Sequence, residues 1–205
     1  MKRLMGSTAV LALTLALVLP ALAQDKPMAT TETKVETKKT TVVKPAMAMA
    51  AASGLKAEAL HSLGDAEKKL LDLAEAMPAD KYTWHPEGAR SVGEVFNHVA
   101  GANYFIPTLL GAKMPAGVDP RSFDKSAGDK AKTIETLKAS FAHVKEAINA
   151  MPDADLGKSV KIFDHDGTYG DVLFILVSHA HEHLGQSIAY ARVNGVVPPW
   201  SKKGD

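Results

Sequence analysis

Apolar residues recur every three or four positions along four stretches of this chain, and that spacing predicts four amphipathic helices. The first runs from about residue 55 to 76, with Leu60, Leu63, Leu70, Leu71 and Leu73 on one stripe and Glu67, Lys68 and Lys69 outside it. Met77-Pro78 ends it, because a residue before proline avoids the α region. The second runs from about 91 to 110. Ser91-Val-Gly-Glu94 reads as a capping box, Val95, Val99 and Ala102 follow at helical spacing, and Pro107 predicts a kink or an early stop. The third covers about 129 to 151, with Ile134, Leu137, Phe141, Val144 and Ile148 in register and Met151-Pro152 closing it. The fourth covers about 171 to 194, capped by Thr168-Tyr-Gly-Asp171 and closed by Gly195. The connections are longer than minimal. Ser159-Val-Lys-Ile-Phe163 alternates weakly, and an ordered loop that packs Ile162 and Phe163 onto the helices is preferred to a short extended piece. The expected fold class is all-α, a four-helix bundle with long connections.

The N-terminal part carries no such stripe. Residues 1–23 read as a signal peptide. Lys2 and Arg3 form its positive start, Val10 to Leu19 is a nearly unbroken apolar run too short for a permanent membrane anchor, and Ala21-Leu-Ala23 is a small-x-small cleavage site. Residues 24–53 read as a disordered tether. They begin polar and mixed in charge and end in an Ala/Met stretch that a frayed helix would suit. Residues 54–205 then form one domain of about 150 residues, long enough for a real core.

Composition removes several function classes. The 205 residues carry a formal net charge of +1. Removing Lys2 and Arg3 from the 24 basic residues leaves 22 against 23 acidic ones, a net of −1. There is no basic stripe and no aromatic platform, so nucleic acid is not an expected partner. The chain has no cysteine. A lipoprotein anchor, disulfides and thiolate ligands are therefore all excluded, although export would permit disulfides. Any bound metal must sit on nitrogen and oxygen.

Histidines carry the candidate chemistry. His179 and His183 lie four apart in the fourth helix, about 40° from each other around its axis, and so share a face. His98, in the apolar second helix, is the natural third ligand. Three neutral imidazoles with an open position suit a catalytic-type divalent site. An unpartnered imidazole inside an apolar helix costs free energy, which favours a shared purpose for the three rings. His181 is about 200° from the pair and belongs on the outside. Glu182 is off the ligand face, and H-E-x-x-H is absent. Glu94, one turn before His98, could approach the metal, although its capping role explains it equally well. His165, in Asp164-His-Asp-Gly167, could line the mouth of the site or stand exposed in a turn. His61, His85 and His143 show no partner in the sequence.

These features resemble the DinB-like superfamily, a group of metal-binding four-helix bundles named for DNA-damage-inducible proteins. Tyr82-Thr-Trp84-His-Pro86 is similar to the family's Trp-x-Pro entry to the second helix. Ser91-Val-Gly-Glu-Val-Phe-Asn-His98 is similar to its first-ligand helix, and His179-x-x-x-His183-x-Gly185-Gln186 to its H-x-x-x-H-x-G-Q ending. The resemblance covers nearly all of the folded part and implies His98, His179 and His183 as ligands of a divalent ion with open or water-filled positions. Zinc or nickel comes first as the cofactor, iron or manganese next. Leu184 departs from the arginine that many members carry there, which puts any contact made by that arginine in doubt.

Many members of the family are called metal-dependent hydrolases, and others are transferases or isomerases that use low-molecular-weight thiols. Hydrolysis comes first because an open metal site can make water ionise near neutral pH. Thiol transfer comes second on the resemblance alone, such thiols being chiefly cytosolic and fitting poorly with export. The expected function is thus an exported, periplasmic, divalent-metal-binding protein acting on an unidentified small molecule. The alternative is a non-catalytic metal-binding or interaction protein of the cell envelope. A homodimer is compatible with either. No nucleophile motif and no convincing carboxylate base is present, so catalytic residues stay unassigned.

Overall fold

A computed structural model describes residues 45–201, with side chains from residue 54 onward. The expected signal peptide and residues 24–44 of the expected tether lie outside the described residues. Four long helices dominate: α1 (Pro45–Ala76), α2 (Val92–Phe105), α3 (Lys130–Ala150) and α4 (Tyr169–Val193). α1 begins ten residues before the expected start and takes in the Ala/Met stretch. α2 stops at Phe105, and Pro107 sits in a 3₁₀ turn, Ile106–Leu110, that continues the chain. Proline has no N–H to give the α ladder, which accounts for the early stop.

Each helix touches two neighbours. α1 packs on α3 and α4, and α2 packs on α3 and α4, so the four surround one core. Leu63, Leu70, Phe96, Phe141 and Leu173 are among its fully buried side chains. Two lysines show that α1 and α3 run antiparallel. Lys56, near the start of α1, donates to the carbonyls of Asn149 and Met151 at the end of α3, at 3.2 and 2.6 Å. Lys130, at the start of α3, donates to those of Glu75 and Met77 at the end of α1, at 2.6 and 2.7 Å. Each cation thus satisfies orphan carbonyls at the negative end of the neighbouring helix.

Both expected capping boxes form. Ser91 closes α2 with Glu94, and Thr168 closes α4 with Asp171. At α2 the fit is tight: a Cβ on Gly93 would lie 1.8 Å from the carbonyl oxygen of Ala127, so only glycine lets the connection before α3 cross the helix start at this distance.

The segment before α4 differs from the loop expected there. It is an antiparallel hairpin, β1 (Ser159–Ile162) and β2 (His165–Thr168), with Ser159 paired to Thr168 and Ile162 to His165. The weak alternation was the true signal. Ile162 is fully buried at the end of β1, and Gly167 faces it where a Cβ would lie 2.6 Å from the Ile162 Cδ1. One buried anchor and one facing glycine suffice to hold so short a ribbon against the helices.

Candidate metal centre

α2 and α4 are packed neighbours, and their facing turns bring His98, His179 and His183 together. One nitrogen from each ring lies within 4.8 Å of the others. His98 Nε2 and His179 Nε2 are 3.2 Å apart. The ring centroids are 4.7 Å apart for His98 and His183, and 4.5 Å for His179 and His183. Among the described residues no carboxylate joins this group.

Two of the rings, His98 and His179, are suited to act as neutral donors. Burial holds His98 down to about 4, helped by the positive charge of Arg90 and by His183. Burial likewise holds His179 down to about 4, with His183, His98 and Arg90 adding to it. Desolvation disfavours the charged imidazolium, leaving the lone pair that a metal needs. His183 is oriented from behind. Its Nδ1 donates to Gln186 Oε1 at 2.8 Å, and Gln186 Nε2 donates to the Tyr190 hydroxyl at 3.0 Å. The Trp84 ring then meets Tyr190 edge-on at 5.3 Å. With Nδ1 protonated, Nε2 of His183 is the donor left facing the other rings. A set of three imidazoles, one of them with its tautomer fixed, fits a borderline divalent ion.

The other histidines fall elsewhere. His181 is exposed and its Nδ1 donates to the Val177 carbonyl at 2.9 Å, on the outer face as its spacing requires. His165 stands exposed on β2, next to Asp164 at 3.4 Å, and it is the neighbouring Phe163 that lines the cavity beside the site. Glu94 is committed to its cap. It accepts from the Ser91 backbone N–H at 2.6 Å, and this bond with that of the Ser91 side chain holds its carboxyl below the usual carboxylate range. Glu182 is exposed, although its charge works against the depression of the His98 pKa. Leu184, where the family pattern suggests arginine, is buried in the core.

A cavity of about 850 Å³ opens beside the rings, with His98 and His179 in its wall. Phe105, Ile106, Met114, Val118, Phe163 and Ile175 make it largely apolar. Asp119, Arg121 and Asp124 supply its charged groups, the first two paired at 2.9 Å. Sequence reasoning missed the two phenylalanines and Arg90. Phe105 was within reach, since it lies seven residues from His98 and so on the same helix face. Phe163 reaches the site through tertiary packing and Arg90 acts on it through its charge, and no spacing reports either.

A helical bundle with three converging histidines that could hold a metal ion is the class that fold and site define. The chain belongs to the DinB superfamily, which it matches over residues 62–187. Its fold is similar to that of a DinB-like protein from Bacillus cereus, 19% identical, with a TM-score of 0.55 over 69% of this chain and 93% of that one. A DinB-like protein from Bacillus subtilis is 17% identical, with a TM-score of 0.46 over 67% and 92%. No curated protein matches this chain.

Proposed function

We propose that this protein is an exported, metal-dependent hydrolase of the DinB-like type, acting on a small ester, amide or lactone. The observation that carries the reading is the placement of three histidine nitrogens within 4.8 Å of one another, with His98 and His179 in the wall of an 850 Å³ cavity. A purely structural metal would not require a cavity beside it. His98, His179 and His183 would hold the ion, with zinc or nickel favoured by the all-nitrogen donor set and iron or manganese next. When bound, such an ion supplies Lewis acidity and makes water more acidic. Gln186 fixes the third ring, and the largely apolar wall would lower the polarity around a reacting group, which strengthens electrostatic effects there. The expected partner is a small molecule and not nucleic acid.

Export rests on Lys2, Arg3, the apolar run to Leu19 and Ala21-Leu-Ala23. It places the mature protein, starting at Gln24, in the periplasm. Mass spectrometry of protein recovered from the cell envelope should show Gln24 first.

The catalytic reading is tested by a broad hydrolase screen on metal-loaded protein, with chelated protein and His183→Ala as controls. Activity lost in both controls supports it. Activity surviving both belongs to something else. No activity, together with a coordination sphere closed by protein side chains in a metal-loaded crystal structure, would replace it with a metal-binding role.

A further inference from the structure

Phe163 occupies a position that local physics advises against twice. Ile162 pairs with His165, so Phe163 and Asp164 form a two-residue hairpin connection. The first residue of such a connection with positive φ is ordinarily glycine or asparagine. Phe163 holds φ at +50°, alone among the described non-glycine residues. Phe163 is also 62% exposed as a residue, on a protein with ample core to bury it. Backbone strain and an exposed ring at one residue together point to something the ring does.

Its position shows what that is. The Phe163 ring stacks on that of Phe105, with centroids 6.4 Å apart and planes 25° apart, and both rings line the cavity that holds His98 and His179. Phe105, the last residue of α2, is itself 47% exposed. Along the cavity side of α2 the order is His98, Gly101, Ala102, Phe105, one face at i, i+3, i+4 and i+7. The two ends are chemically distinct and the middle is small. Seven residues of helix span about 10 Å. The cavity therefore runs along α2 from His98, past Gly101 and Ala102, to Phe105, backbone positions about 10 Å apart along the helix axis.

We infer that Phe105 and Phe163 form an aromatic clamp that grips the apolar body of the ligand, whose polar head lies at the histidines. The ligand class is an elongated small molecule with an aryl or acyl body and a carbonyl-type head. This specifies the substrate of the proposed hydrolase and rests on that reading for the role of the head. Pro120 closes over Gly101, where a Cβ would lie 3.5 Å from the proline Cβ, while the small Ala102 side chain leaves room for the body, and the rings supply dispersion and apolar burial at its far end.

The test uses the mature protein and the neutral fluorescent probe N-phenyl-1-naphthylamine, titrated with and without zinc. Phe163→Gly is the decisive variant, since glycine suits the positive φ and the hairpin keeps its fold while losing the ring. Phe163→Gly and Phe105→Ala should each weaken probe binding about tenfold, as expected for loss of one aromatic contact. Ala102→Leu should do the same by filling that space. Phe174→Ala removes an exposed ring from a separate small pocket on α4 and should leave binding unchanged. Unchanged affinity in both clamp variants, or a loss confined to Phe174→Ala, overturns the inference. Zinc titration of the same proteins separates the two claims. Wild-type protein that takes up no zinc would defeat the proposed function, whereas the clamp is decided by the probe. All four variants should load zinc as the wild type does.

Discussion

Gln186 holds His183 by a 2.8 Å bond to Nδ1, three residues on along the same helix. The bond fixes which nitrogen of the ring is available and where it points. Gln186 is fixed in turn by Tyr190, which packs against Trp84 from the connection that leads into α2. Two sequence motifs far apart along the chain, Trp84-His-Pro86 and His183-Leu-Gly-Gln186, are thus linked through Tyr190 behind one imidazole. Partners of this kind typically contribute about 10–100-fold to metal affinity. Gln186→Leu should lower zinc or nickel affinity by about that factor while leaving the helical signal intact. Calorimetric titration beside circular dichroism would check it, and unchanged affinity would assign Gln186 to packing alone.

The ligand set itself is open to a direct comparison. His98→Ala, His179→Ala and His183→Ala should each lose most of the bound metal. His181→Ala should keep it, because that ring is exposed and turned to the Val177 carbonyl. Metal content by mass spectrometry after dialysis decides the matter. Equal loading in all four proteins would remove the site.

Much of this was legible in the sequence, and the reasons are physical. Helix periodicity reports burial directly, so four stripes gave four helices, and Ser91-x-x-Glu94 and Thr168-x-x-Asp171 gave two of the starts. The i, i+4 spacing of His179 and His183 places both on one face whatever surrounds them. The hairpin was harder, because a four-residue strand with one buried residue, Ile162, carries little periodicity. The cavity was illegible. Its walls come from α2, the 111–129 connection, the hairpin and α4, and composition along the chain does not record which loops close over a site. Phe163 illustrates the limit: its sequence context suggested a residue packed onto the bundle, yet the turn geometry holds it outward beside Phe105.

A pH dependence follows from the depressed imidazoles. His98 and His179 lie at about 4 in the folded, metal-free protein. An unfolded chain takes up those protons near 6.5. Between the two values the unfolded state binds more protons, so stability falls as pH falls from about 6.5 towards 4 and is insensitive to these rings above that range. Thermal melts of metal-stripped protein should show Tm dropping across this window. The double variant His98→Gln/His179→Gln should show a shallower drop, and an identical slope would mean that other groups dominate. Added zinc should restore stability most near neutral pH, where protons do not compete for the rings.

The tightest backbone approach gives the last test. The start of α2 passes so close to the connection before α3 that a Cβ on Gly93 would sit 1.8 Å from Ala127 O. The Gly93 N–H also donates to the Tyr82 carbonyl at 2.9 Å, so the helix start is held from two directions. Neither contact can yield without moving backbone, and overpacking of this type costs about 1–3 kcal/mol. Gly93→Ala should therefore lower Tm by several degrees, a shift on the order of 5–10 °C for a domain of this size. It should also weaken metal binding more than its distance from the rings suggests, because α2 carries His98 little more than one turn further on. Gly64→Ala serves as the control, since a Cβ there meets nothing within 4 Å and alanine favours the helix. Equal melting temperatures for the two variants would show that the 111–129 connection gives way readily, and that α2 is positioned by its core contacts alone.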